Sequence, residues 1–159
     1  MNFERCTKPS FSVIGKLGST QDGKDMVQTV WASANAHFDE ISSLASKDAE
    51  GNLLGFWGAM SDFSVSFLPW EDHFTKGLYL AGVQVGNNEE ASATWTKWTI
   101  PAFEYLTIKI IGDYQLAFSE GLIYISRQGL SLVGAVQEYM SPKENGQLYL
   151  YFPIRRIQK

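Results

Sequence analysis

The sequence predicts an α+β protein of two similar halves, each built strand, helix, strand, strand, with the helices on one side of an antiparallel sheet. Three observations carry this. Two stretches, one from Val27 to Leu44 and one from Tyr114 to Gln128, place apolar residues at three- and four-residue steps, the spacing of a helix that buries one face. Each is preceded by one run of strand composition and followed by two more. A polar, Gly/Asn/Glu-rich link at 87–93 divides the chain, and the G-L-Y-L-A-G-V before it is echoed by Q-L-Y-L-Y-F-P near the end.

In chain order, residues 1–9 read as a loose lead-in. Phe11 to Leu17 alternates as a strand, Gly18 to Lys24 is a turn-rich connector, and Asp25 stands where a helix N-cap is expected. The first helix stripe is Val27, Val30, Trp31, Ala34, Phe38, Ile41 and Leu44, which predicts one helix of about twenty residues ending before the loop 47–52. Trp31, inside that stripe, is expected in the core. Strands follow at Gly55 to Met60 and Leu78 to Val85. The long connection between them is aromatic-laden, and its F-S-V-S-F at 63–67 alternates like a short strand.

The second half opens on Trp95 to Tyr114, the stretch richest in signals. Its two tryptophans risk exposure. Pro101, which has no amide to give to a ladder, belongs at the start of a strand. Phe103 to Ile110 carries apolar residues on both faces and reads as an interior strand. Asp113 caps a helix over 114–128 with Ala117, Phe118, Leu122 and Ile125 on one face, stopped by Gly129. Strands over 133–140 and 147–154 close the chain, joined at an Asn145-Gly146 hairpin signal. The whole, 1–159, reads as one domain with halves of about 9–86 and 99–157.

Composition narrows function more by exclusion than by assignment. The 159 residues are 19% charged and 14% aromatic, with a net charge of −4 and no basic cluster, so a phosphate backbone is a poor partner. One cysteine, Cys6, excludes an internal disulfide and a cysteine-rich zinc site. No apolar run is long enough to predict a membrane span, and residues 1–20 hold no signal-peptide core, so a cytoplasmic location is expected. No catalytic serine motif, phosphate loop, Cys-His arrangement or metal-spaced cluster appears, and no cofactor is expected.

Four motifs in order, I-P-A-F-E-Y, G-D-Y at a helix start, V-Q-E-Y-M and L-Y-L-Y-F-P-I, resemble the gyrase-inhibitor-like small-molecule-binding domain. This is the effector-binding module of AraC-type and MerR-type multidrug regulators, and the resemblance covers roughly 9–154. It implies pseudo-twofold symmetry and a ligand cleft between the halves, away from the helices. It also implies lipophilic cations as ligands, held by aromatic rings around a glutamate on the strand before the final hairpin. By motif that glutamate is Glu138, with Met140 facing the same way and Tyr151 on the closing strand. With no helix-turn-helix on either side of the matched stretch, the chain is similar to the stand-alone members. Transcriptional control would then need a separate regulator.

Each candidate has an ordinary reading beside the functional one. Glu138 lies in an otherwise apolar strand, where a carboxylate is costly unless paired. It is either a cleft charge, an edge glutamate in solvent, or a partner of Arg155 or Arg156. Glu104 shares a face with Leu106, Ile108 and Ile110 but sits near its strand start, which favours a rim or structural role. Tyr149 and Tyr151 share one strand face opposite Leu148, Leu150 and Phe152, leaving the tyrosines for a cleft or for solvent. From the pool Trp57, Tyr79, Trp95, Trp98 and Phe103, we select Trp57, Trp98 and Phe103 as cavity wall.

The expected function is therefore binding of a small aromatic or lipophilic cation rather than catalysis, with no direct nucleic-acid or membrane partner. Two rivals stand beside it. One is a small hydrolase using Glu138 with Tyr151 as acid and base, and the other a protein–protein inhibitor module.

Overall fold

The computed structural model describes residues 2–157. Among these residues, eight strands form one antiparallel sheet in the order β1-β6-β8-β7-β3-β4-β2-β5. The strands are β1 (Phe3–Lys8), β2 (Phe11–Ser19), β3 (Phe56–Ser61), β4 (Leu78–Val85), β5 (Thr96–Ile100), β6 (Phe103–Lys109), β7 (Gln137–Ser141) and β8 (Gln147–Arg156). The main helices are α1 (Met26–Ala36) and α3 (Tyr114–Arg127), and α2 is a single turn (Glu71–Phe74).

Two repeated units are plain in this order. β2-α1-β3-β4 and β6-α3-β7-β8 lie as β2-β4-β3 and β6-β8-β7, joined back to back where β3 pairs with β7. The strand leading into each unit is exchanged: β1 runs into β2 but pairs with β6, and β5 runs into β6 but pairs with β2. Each exchange turns on two residues, Pro9-Ser10 and Pro101-Ala102. Three peptide steps reach about 10 Å at most, so the sheet curls until its two ends approach each other.

The alternation of each strand sorts its side chains cleanly. On one face Ile14, Met60, Tyr79, Ala81 and Val83 pack with Met26, Val30 and Ala34 of α1. On that same face of the other unit, Leu106, Ile108, Leu150 and Phe152 pack with Ala117 and Ile125 of α3. The opposite face gathers Phe11, Val13, Trp57, Leu80, Trp98, Phe103 and Tyr105, with Tyr139 and Tyr151 against them. Asp113 caps α3 as its position predicts, its carboxylate accepting from the amides of Gln115 and Leu116. Asp25 occupies the N-cap of α1 without a capping side-chain bond.

Several local expectations change. The lead-in is a paired edge strand, β1, matched residue for residue with β6 from Phe3↔Ile108 to Lys8↔Phe103. The first helix ends at Ala36, and 3-10 turns at Phe38–Glu40 and Ser42–Leu44 carry the rest of its stripe. Phe38, Ile41 and Leu44 are spaced by three, which fits three residues per turn rather than 3.6. Trp95 and Trp98 are buried, not exposed.

Residues 63–67 form a loop, with Val65 and Phe67 at positive φ. Its organiser is Asp62, which accepts from Ser64 Oγ and from the amides of Ser66 and Leu68. Burial alone would raise the Asp62 carboxyl, yet these donors hold it below its ordinary range. The strand expected over 133–140 narrows to β7: Val133 still donates to the Pro153 carbonyl of β8, but Ala135 donates to the loop carbonyl of Phe67 instead of a neighbouring strand.

Candidate functional site

The seam between the two units places Glu138 near the middle of the sheet, with Gly58 of β3 on one side and Leu150 of β8 on the other. Its side chain is on the helix-bearing face. Oε1 accepts a hydrogen bond from Tyr79 Oη at 2.6 Å, and Tyr79 Oη in turn accepts from Trp31 Nε1 at 2.8 Å. Oε2 accepts from Tyr114 Oη. Tyr79 is fully buried on β4, Trp31 comes from α1, and Tyr114 is the first residue of α3. One carboxylate thus ties both helices to the sheet.

Gly58 makes the arrangement possible. A Cβ there would collide with the Tyr79 hydroxyl and with Glu138 Oε1. Among the described residues, no lysine, arginine or histidine is within ion-pairing distance of Glu138, so neither Arg155 nor Arg156 pairs with it. Burial raises the Glu138 carboxyl above its ordinary range, against the tyrosine hydrogen bonds that lower it. Burial, then the nearby carboxylate, push the hydroxyls of Tyr79 and Tyr114 up, so both remain donors. The site is a half-buried carboxylate held by two phenols and lacking a counter-charge.

A cavity of about 440 Å³ meets this network at Tyr114, though Glu138 itself does not line it; Phe118, Leu122, Gln115 and Ser119 of α3 continue the wall, Met60 and Val136 form the floor, and Trp70, His73, Phe74 and Thr75 close it. That volume lies within the range of small-molecule sites, about 300–1,000 Å³. Phe74 meets Phe118 edge-on at 5.3 Å, and Phe118 stacks with Tyr114 at 6.4 Å. Asp72, His73 and Phe74 all hold positive φ, from 53° to 63°, a left-handed turn made without glycine.

The predicted site residues divide between the two faces. Glu138 and Met140 share the helix face. Trp57, Trp98, Phe103 and Tyr151 belong to the cluster on the opposite face, and Tyr149, next but one to Tyr151 on β8, shares that face. They do not surround Glu138. Glu138 lies on the helix-bearing face, whereas Tyr151 is on the opposite one, so the Glu138–Tyr151 pair of the hydrolase reading is not brought together. Glu104 is taken up structurally by Arg155, at 2.9 Å, and by Arg5, at 3.9 Å.

Sequence reasoning left out Tyr114, Trp31, Trp70 and Phe74 as site residues and kept Tyr79 only in a wider pool. Trp31 packs, half-buried, against the α1-side core as expected, and its indole is also bonded into the Glu138 network. For Tyr79 a signal existed: it alternates in phase with Ala81 and Val83, which face α1. For Tyr114 the only clue was its place beside the Asp113 cap.

No family model matches the chain, and no curated protein matches it in sequence. Solved structures do share its fold. SAV2435 bound to tetraphenylphosphonium superposes with a TM-score of 0.66 at 18% identity, over 98% of this chain and 94% of that one. The EcmrR C-terminal domain gives 0.65 at 10%, over 99% and 100%. In the EcmrR–DNA complex the match covers 58% of the EcmrR chain. A hydrolase from Listeria innocua gives 0.53 at 13%, over 96% and 91%. At these identities the likeness shows the fold alone, an α+β architecture.

Proposed function

We propose that this protein binds a lipophilic organic cation in the cavity between α3, the sheet and the Trp70–Thr75 segment, with Glu138 as its counter-charge. One observation carries the reading: a half-buried carboxylate, fixed by Tyr79 and Tyr114, has no cationic partner among the described residues. A buried charge without a partner is costly. A cation that enters the cavity supplies that partner, and the rings of Tyr114, Phe118, Phe74 and Trp70 supply apolar contact and cation–π attraction. SAV2435, which shares the fold, is bound to tetraphenylphosphonium, a cation of this class.

Rings and aliphatic side chains make up much of the wall, with His73, Thr75, Gln115 and Ser119 beside them, so selection by charge, ring contact and size still permits a range of ligands. Such a module sequesters its ligand, or reports it through a separate regulator. The test is tryptophan fluorescence, with Trp31 and Trp70 beside the site, against tetraphenylphosphonium and a neutral tetraphenyl analogue. Saturable quenching by the cation alone supports the reading. Equal response to both removes the charge from it. A hydrolytic role would rest on Glu138 with Tyr114, and turnover of an activated ester, lost in Glu138→Gln, would favour it instead.

A further inference from the structure

The aromatic residues that the first site leaves unused converge on the opposite face of the sheet. Trp57 lies at the centre, with ring centroids 4.6 Å from Phe11, 4.8 Å from Tyr139 and 5.3 Å from Tyr151. Tyr151 is in turn 5.3 Å from Tyr105 and 5.8 Å from Tyr139, and Tyr139 continues to Tyr149 at 6.0 Å. Phe11, Trp57 and Tyr105 are buried, whereas Tyr139, Tyr149 and Tyr151 are half-buried and present ring surface.

Two polar groups in this patch are unspent. The Lys8 ammonium stands 4.4 Å from the Phe11 centroid and 5.5 Å from that of Trp57, half-buried. It has no carboxylate within ion-pairing distance among the described residues. The Tyr105 hydroxyl, on the same face, is wholly buried without a hydrogen-bond partner. Burial also draws the Lys8 ammonium below its ordinary range, as expected of a cation short of both water and counter-charge.

We propose that this face is a second binding site, for a planar aromatic carboxylate whose anion pairs with Lys8 and whose ring lies on Tyr139 and Tyr151. The sign follows from charge complementarity. Lys8 already occupies the cation position over Phe11 and Trp57, so a second cation is repelled there while an anion completes a pair. Glu144 is bonded to the Tyr149 hydroxyl at the far end of the aromatic row. Glu4 lines a separate hollow beside Tyr149, with Thr107 and Lys109. Glu138, on the other face, does not contribute. The inference is independent of the function proposed above.

The experiment uses the full chain and 2-naphthoate as probe, with neutral 2-naphthalenemethanol as its control. The readout is the indole N–H resonances of the tryptophans. The Trp57 indole, which donates to Gln84 Oε1 at 3.1 Å, reports this face. The Trp31 and Trp70 indoles report the other. We expect a saturable shift at Trp57 with 2-naphthoate, weakened about 10-fold or more in Lys8→Met and restored in Lys8→Arg. Lys8 lies on an edge strand, and Lys8→Arg keeps the test open if Lys8→Met perturbs β1. Equal binding of the neutral alcohol, undiminished binding in Lys8→Met, failure to saturate, or shifts confined to Trp31 and Trp70 would each overturn the proposal.

Discussion

Glu138→Gln separates the charge of the first site from its shape. A cation that came within about 4 Å of the carboxylate, at an effective dielectric near 20, would gain about 4 kcal/mol of attraction. Desolvation of the two charges offsets part of this, and hydrogen bonds to charged groups are worth about 1.5–3 kcal/mol net. The variant should therefore bind tetraphenylphosphonium about 10- to 100-fold more weakly, measured by calorimetric titration at pH 7.5.

Stability should move the other way. Burial lifts the folded-state pKa of Glu138, so the folded chain holds this proton to higher pH than the unfolded chain does. Stability is then lost as pH rises from the ordinary carboxylate range through the raised value, and stays lower above it. Glutamine escapes that loss. At neutral pH the variant should melt no lower than wild type, and its relative advantage should shrink on acidification. Wild-type affinity for the cation should fall as pH drops through the same raised value, while the variant's stays flat. Undiminished affinity in Glu138→Gln, or a flat wild-type profile, would refute the assignment of Glu138 as counter-charge.

Three further changes probe the construction of the site. Tyr114→Phe removes a hydrogen bond that lowers the Glu138 pKa, so the acid limb of the wild-type binding profile should move to higher pH, as read from titrations at several pH values. Gly58→Ala forces a methyl against the Tyr79 hydroxyl and Glu138 Oε1, which should cost about 1–3 kcal/mol in chemical denaturation and weaken cation binding. His73→Gly relieves a left-handed residue at φ 58° and should stabilise the protein by about 0.5–1 kcal/mol, measured as a raised denaturation midpoint.

Much of this molecule was legible in the chain itself. Alternation at 103–110 and 147–154 assigned side chains to faces correctly, because a strand's period of two leaves no freedom once its register is set. The α3 stripe and the Asp113 cap were equally local, and so was the oddity of Glu138 among apolar neighbours. A strand pattern does not say, however, which face meets which partner. Tyr149 and Tyr151 could be told apart from Leu148, Leu150 and Phe152, but only the packing of α1 and α3 put Glu138 under the helices and the tyrosines on the other side. Tyr79 and Tyr114 reach Glu138 from 59 and 24 residues away, through the β3–β7 seam and the placement of α3. The exchange of β1 and β5 between the halves likewise had no sequence mark, and it sets Lys8 over Phe11 and Trp57. Local physics fixed most of the elements and the sides of the strands it predicted. The meeting of charges and rings across the sheet is a property of topology, which no window of sequence contains.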